Sequence, residues 1–85
     1  MTEAPLNFFY RDGCHLCEAL ASLLHRGWPG VTEGLRWVDV DSRPEFQERY
    51  GERVPVLERG GQVLCELNPD PECLQEHFGP PVNPL

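Results

Sequence analysis

The chain has 85 residues, enough for one small domain with a single core. Fourteen Asp and Glu residues outnumber seven Arg residues, and the resulting formal net charge of -7 disfavours binding to nucleic acid. No apolar stretch approaches the roughly 20 residues that cross a bilayer, so we predict no membrane span. Residues 1–5 show no basic, apolar signal region and cysteines are few, which indicates a reducing, cytoplasmic location.

The first predicted elements are a strand and a helix joined by a tight turn. Leu6 to Tyr10 is a short apolar and aromatic run, typical of a buried central strand. Cys14 to Arg26 places leucines at three- and four-residue steps, the spacing of one helical face, and Gly27 is expected to end this helix. Trp28-Pro29-Gly30 is predicted to be a loop.

A second strand and a short helix follow. Leu35 to Val40 is rich in residues that favour strands. Ser42, followed three residues later by Glu45, has the pattern of a capping box, in which two side chains satisfy free amides at a helix start. Because Gly51 is expected to end this helix, the predicted order to this point is β-α-β-α.

The last third of the chain predicts a hairpin and a final helix. Val54 to Glu58 and Gln62 to Glu66 are strand candidates joined by Gly60-Gly61, a pair suited to the positive φ angles of a tight turn. Asp70 and Pro71 are typical of the N-cap and the first position of a helix. The full predicted order is therefore β-α-β-α-β-β-α.

Cys14 and Cys17 lie at the junction between the first strand and the first helix. A thiol in the first turn of a helix is close to free amide groups and to the positive end of the helix dipole, which favour the reactive thiolate. Cys17 is one turn further on, on the face of the buried leucines, and can close a disulfide with Cys14. A C-x-x-C motif at such a junction indicates a redox site.

The other two cysteines are expected to be structural. Cys65 alternates with apolar residues along a strand, and Cys73 falls in the first turn of the last helix, so buried thiols are favoured over a second redox pair. Zinc ligation by all four cysteines has less support, because Cys65 and Cys73 do not form a second C-x-x-C motif. No metal site is predicted, and Trp28 and Trp37 are interpreted as packing residues.

Three segments resemble the glutaredoxin-like branch of the thioredoxin superfamily. They are Tyr10 to Cys17, Val54-Pro55 at the start of the third strand, and Gly60-Gly61 in the hairpin. The C-H-L-C motif is similar to that of a subgroup of small glutaredoxin-like proteins, whereas standard glutaredoxins carry C-P-Y-C. The resemblance implies an α/β, thioredoxin-like fold with a four-stranded mixed sheet, the first strand between the second and third, and helices on both faces.

The resemblance covers nearly the whole chain. We predict a glutaredoxin-like domain over residues 1–79 and a C-terminal tail over residues 80–85.

The resemblance also implies roles for the residues around the motif. Cys14 is the predicted nucleophile, and Cys17 is the predicted resolving cysteine that attacks a mixed disulfide on Cys14. Arg11 and His15 are predicted to lie beside the thiolate and the substrate. Together with the helix start, they are expected to lower the pKa of Cys14, while Asp12, Glu18 and the net negative charge oppose the shift, so the predicted value is roughly 6 to 7.5.

Val54 and Pro55 are predicted to contact the substrate. In the family the proline is cis, and the backbone of the preceding residue pairs with a substrate chain in the manner of a strand. Glutathione is a possible co-substrate, but the turn from Glu66 to Pro71 contains two prolines. These lack the amides that hold a carboxylate in the related Gly-Gly-x-Asp turn, so weak glutathione binding and no bound cofactor are expected.

The sequence thus predicts a cytoplasmic, monomeric thiol-disulfide oxidoreductase that acts on protein or small-molecule disulfides. Two alternatives stay open. One is a non-catalytic adaptor that keeps the fold and docks a partner at Val54-Pro55, and the other is a metal or iron-sulfur carrier through Cys14. Neither nucleic acid nor a membrane is an expected partner.

Overall fold

Four strands form one mixed sheet in this computed structural model, which describes residues 4–83. The strands are β1 (Leu6–Tyr10), β2 (Leu35–Asp39), β3 (Val56–Arg59) and β4 (Gln62–Glu66), in the order β2-β1-β3-β4. β1 is parallel to β2 and antiparallel to β3, and β3 is antiparallel to β4. The predicted α/β fold, with the first strand between the second and the third, is confirmed. Residues 1–3, at the start of the segment searched for a signal, and residues 84–85 of the predicted tail lie outside the described residues.

The α-helices are α1 (His15–Gly27), α2 (Pro29–Glu33), α3 (Pro44–Tyr50) and α4 (Pro71–Phe78). A 3-10 turn, Val40–Ser42, lies between β2 and α3. The prediction of a loop after α1 is wrong, because the chain enters α2 directly at Pro29. Proline is favoured at the first position of a helix, where its missing amide needs no partner. No helix in residues 4–83 combines the length and the apolar character needed to span a membrane.

The start of α3 differs from the predicted capping box. Its N-cap is Arg43, which makes no capping hydrogen bond through its side chain. The Ser42 hydroxyl instead donates to the carbonyl of Asp39 at 2.6 Å, while the Asp39 carboxylate accepts from the amide of Asp41 at 2.9 Å. Asp39 therefore caps the 3-10 turn, and Pro44 begins the helix without needing an amide partner.

Each face of the sheet carries its own apolar core. The register places Phe8, Leu57 and Cys65 side by side on three strands, and these residues share one core with buried leucines of two helices: Leu20 and Leu24 of α1 and Leu74 of α4. The opposite core contains Phe9, Val40, Tyr50 and Val56. The predicted arrangement of helices on both faces is therefore confirmed.

Two features of the last third of the chain agree with its sequence pattern. Gly60 and Gly61 have φ angles of 59° and 85° in the turn between β3 and β4, a conformation that side chains disfavour. The Asp70 carboxylate caps α4 by accepting from the amide of Glu72 at 3.0 Å.

The described part of the predicted tail contacts the end of α1. The Val82 amide donates to the carbonyl of Gly27, and the Asn83 side-chain amide donates to the carbonyl of Arg26, each at 2.8 Å. Nearby, the indole of Trp28 donates to the carbonyl of Gly79 at 2.8 Å. These bonds satisfy carbonyl groups that a helix end leaves without partners within the helix.

The packing of α1 on the sheet can be tested with one substitution at two positions. Leu20 has no exposed surface, whereas Leu16, one turn earlier on the same helix, is 43% exposed. Leu20→Ala should lower the free energy of unfolding by about 2 to 5 kcal/mol, because it leaves a cavity in the core. Leu16→Ala should cost less than about 1 kcal/mol. Chemical denaturation of both variants measures the difference, and equal losses would contradict this packing.

Candidate functional site

The thiol pair lies where the chain leaves β1 and enters α1. Gly13, with a φ of 77°, turns the chain, and Cys14 then forms the N-cap of α1. The Cys14 amide donates to the carbonyl of Arg11 at 3.2 Å, and its carbonyl accepts from the amide of Glu18 at 3.1 Å. The sulfur of Cys14 accepts from the amide of Cys17 at 3.1 Å. An amide at the positive end of the helix therefore points at this sulfur.

Cys14 and Cys17 are joined by a disulfide bond, with their Cα atoms 5.2 Å apart. The two residues differ in their access to solvent. Cys17 is only 5% exposed and belongs to the core under α1, whereas Cys14 is half-buried at the surface of that core. An external disulfide can therefore reach Cys14 more readily than Cys17.

The Arg11 side chain is held by a carboxylate. Its guanidinium donates to both oxygens of Asp41, at 2.9 and 3.0 Å, and to the carbonyl of Gly51 at 3.0 Å. The hydrogen bond from Arg11, followed by one from Gln47, holds the pKa of Asp41 below its ordinary value. The positive charge that the sequence placed near Cys14 is therefore compensated by Asp41.

His15 lies on the surface of the first turn of α1. Its side chain is 97% exposed, and its Nδ1 atom lies 3.9 Å from the carboxylate of Glu18. A contact between His15 and a substrate stays a prediction, as do the roles proposed for the other site residues.

Val54 and Pro55 lie at the same edge of the sheet as the thiol pair. Phe9 pairs with Val56, so the residues just before β3 are placed beside the end of β1, from which Cys14 follows. The Val54-Pro55 peptide bond is cis, as the family resemblance implied. The Pro55 carbonyl accepts from the amide of Leu67 at 2.9 Å. Within residues 4–83, neither the amide nor the carbonyl of Val54 has a hydrogen-bond partner.

A pocket of about 190 Å³ opens beside the two sulfurs. One wall is Trp37, which is 52% exposed and whose ring centroid lies 4.7 Å from that of Phe8. Trp28 is buried, as expected of a packing residue, whereas Trp37 packs against Phe8 on one side and is also exposed at the pocket. Trp37 lies beside the pocket because the register of β1 and β2 pairs it with Phe8. That register could not be predicted from the sequence. The remaining lining includes Tyr10, Asp12, Cys14, Cys17, Glu18 and Ala21.

The family model described as Glutaredoxin-like domain (DUF836) matches residues 5–83. The chain belongs to this glutaredoxin-like family. It is similar to the X-ray structure of protein XcR50 from X. campestris, with 28% identity and a TM-score of 0.71 over 86% of this chain and 93% of that one. It is also similar to the solution NMR structure of protein Ne2328 from Nitrosomonas europaea, with 26% identity and a TM-score of 0.62 over 91% and 93% of the two chains. No curated protein matches the sequence.

A second disulfide in this glutaredoxin-like domain joins Cys65 to Cys73, with their Cα atoms 6.2 Å apart. The expectation that Cys65 and Cys73 are free thiols is therefore wrong, while their structural role, favoured over a second redox pair, stays a prediction. Cys65 faces the core from β4, and α4 folds back over the same face so that its first turn meets that strand. The short connection between β4 and α4 brings the two sulfurs together, although their spacing along the sequence matches no recognised motif.

The Arg11 and Asp41 pair generates a pH-dependent prediction. A carboxyl group whose pKa is lowered by folding stabilises the protein above its ordinary pKa, here 3.8, and this contribution disappears as the pH falls through the lower folded-state pKa. Asp41→Asn should therefore melt below the wild type at neutral pH, and the difference should shrink as the solution is acidified below about pH 4.

The measurement is the melting temperature as a function of pH, with Glu33→Gln as a control that removes an exposed carboxylate at the end of α2. A difference between wild type and Asp41→Asn that does not change with pH would contradict the pairing.

Proposed function

We propose that this protein is a thiol-disulfide oxidoreductase that exchanges disulfides through Cys14 and Cys17. The main support is the hydrogen bond from the Cys17 amide to the sulfur of Cys14 at the start of α1. In the dithiol form, the same amide and the helix dipole stabilise a thiolate on Cys14. Cys17 lies in the apolar core, where a charged sulfur is less stable, so Cys14 is the sulfur that attacks first.

The proposed reaction has two exchange steps. The Cys14 thiolate attacks one sulfur of the substrate disulfide and bonds to it, while the other substrate sulfur leaves as a thiolate and takes up a proton. Cys17 then loses its proton and attacks the sulfur of Cys14, which releases the bound substrate as a thiol and forms the Cys14-Cys17 disulfide. Two electrons pass from the protein to the substrate, and an external dithiol or glutathione returns them.

The surroundings of Cys14 favour a polypeptide substrate. The unpaired backbone groups of Val54 can pair with an extended chain in the manner of an added strand. Trp37 forms an apolar wall of the pocket that also contains the two sulfurs. A substrate with an apolar side chain beside its disulfide therefore fits this pocket.

Glutathione fits the site less well as a co-substrate. Its carboxylates need positive or amide partners, but the guanidinium of Arg11 is already held by Asp41 and Gly51. The two prolines at positions 69 and 71 provide no amides in the turn before α4. The reaction needs no bound cofactor, and its proposed location is the cytoplasm, where dithiol systems reduce accessible disulfides.

The function is tested by disulfide reduction in a Cys65→Ser/Cys73→Ser background, in which all exchange must come from Cys14 and Cys17. Adding Cys14→Ser should abolish reduction of a protein disulfide such as that of insulin, because the attacking sulfur is gone. Adding Cys17→Ser instead should leave substrate attached to Cys14 as a mixed disulfide, which intact mass measures.

The outcome that contradicts an enzymatic role is equal reduction rates with and without Cys14. If neither protein reduces the disulfide but both bind a polypeptide near Val54, the domain is an adaptor.

A further inference from the structure

Three side chains of types that bind metal ions lie close together where α4 packs on β4. Cys65 from β4 and Cys73 and His77 from α4 place two sulfurs and one imidazole nitrogen within 4.8 Å of one another. Cys73 and His77 are four residues apart and therefore share one face of α4. None of the three residues lines the pocket beside Cys14.

We propose that the reduced protein binds one Zn²⁺ ion through Cys65, Cys73 and His77, with a fourth position open to water or an external ligand. Tetrahedral zinc holds sulfur and nitrogen ligands about 3.6 to 3.8 Å apart. The three ligand atoms already lie within 4.8 Å, so small side-chain rotations suffice once the sulfurs are no longer bonded to each other. This set differs from the four-cysteine site that the sequence disfavoured.

The burial of the three ligands suits an ion that enters from solvent. Cys65 is buried beneath α4, Cys73 is half-buried and His77 is exposed. The two sulfurs would therefore bind the ion on its protein side, and solvent could reach the ion beside His77. The Cys73 sulfur also lies 3.1 Å from the carbonyl of Leu64, to which its thiol can donate in the reduced protein. In the reduced, metal-free protein this hydrogen bond directs Cys73 toward β4, and it is given up when zinc displaces the proton.

The charges at the site also favour a divalent cation. Two thiolates and one neutral imidazole balance the charge of Zn²⁺, so the half-buried site carries no net charge when the ion is bound. The formal net charge of -7 makes the approach of a cation favourable. Glutamates at positions 72 and 76 of α4 add to this local negative potential.

The oxidation state of the cysteines would control zinc binding. Reduction of the Cys65-Cys73 disulfide by an external dithiol gives two protein thiols and converts the reductant to its disulfide. Zinc then displaces two protons from these thiols. When a disulfide oxidant takes two electrons from the thiolates, the Cys65-Cys73 bond forms again and Zn²⁺ is released.

The test uses the full chain carrying Cys14→Ser/Cys17→Ser, so that only the second pair of cysteines is present. After anaerobic reduction, competition with a chromophoric chelator should show one bound Zn²⁺ per chain, and Co²⁺ should give thiolate-to-metal charge-transfer bands. Cys65→Ser in this background should abolish binding, and His77→Ala should weaken it by at least about tenfold. His25→Ala, which removes an exposed histidine in the last turn of α1, is the matched control and should bind as the background does.

The proposal is overturned if the reduced background protein binds no zinc, if its disulfide form binds equally well, or if His77→Ala binds as tightly as His25→Ala. Because His77 is exposed, this comparison holds even if Cys65→Ser fails to fold, which circular dichroism detects. The proposed oxidoreductase activity is unaffected by any of these results, because the cysteines that carry it are absent from the tested protein.

Discussion

The hydrogen bond from the Cys17 amide to the sulfur of Cys14 is the interaction on which the site depends. It places a donor against a half-exposed sulfur, where negative charge on Cys14 would be stabilised, and the helix dipole acts in the same direction. The geometry is maintained because α1 is fixed to the sheet by fully buried leucines, with Phe8 of β1 in the same core. The strand, the glycine turn and the helix thus form one rigid support for the thiol.

Two of the arginines that join the elements around the site are paired with carboxylates. Arg11 is paired with Asp41 and also bonds to the carbonyl of Gly51, so it joins the end of β1 to the segments on either side of α3. Arg53 is likewise paired with Glu66, and this hydrogen bond keeps the pKa of Glu66 below its ordinary value. With both cations engaged, the proposed exchange reaction relies mainly on the helix amides to stabilise a Cys14 thiolate, and in that proposal the backbone of Val54 and the exposed face of Trp37 contact the substrate.

The local elements could be predicted because each is encoded by neighbouring residues. The apolar run of β1, the leucine spacing of α1, the glycine pair of the hairpin and the Asp70 cap are all short-range signals, and all four appear in the structure. The predicted capping box is wrong because α3 begins at Pro44 with Arg43 as its N-cap, which puts Ser42 one residue too early, in the 3-10 turn where its hydroxyl donates to Asp39.

The tertiary contacts could not be predicted, because they depend on how the elements pack and not on local sequence patterns. Arg11 and Asp41 are 30 residues apart, and their pairing depends on how β2 and α3 follow the sheet. Trp37 reaches the pocket only through the register between two parallel strands. The sulfurs of Cys65 and Cys73 meet because α4 turns back onto β4, a packing choice that the cysteine spacing alone does not reveal.

The most direct test of the central claim is the pH dependence of alkylation of the fully reduced protein by iodoacetamide, with the modified residue identified by peptide mass. The hydrogen bond from the Cys17 amide to the sulfur of Cys14 predicts that this residue reacts first and that its rate follows a pKa below the free-cysteine value of about 8.5. A midpoint at or above about 8.5, or faster modification of Cys17, would contradict a stabilised thiolate at the start of α1.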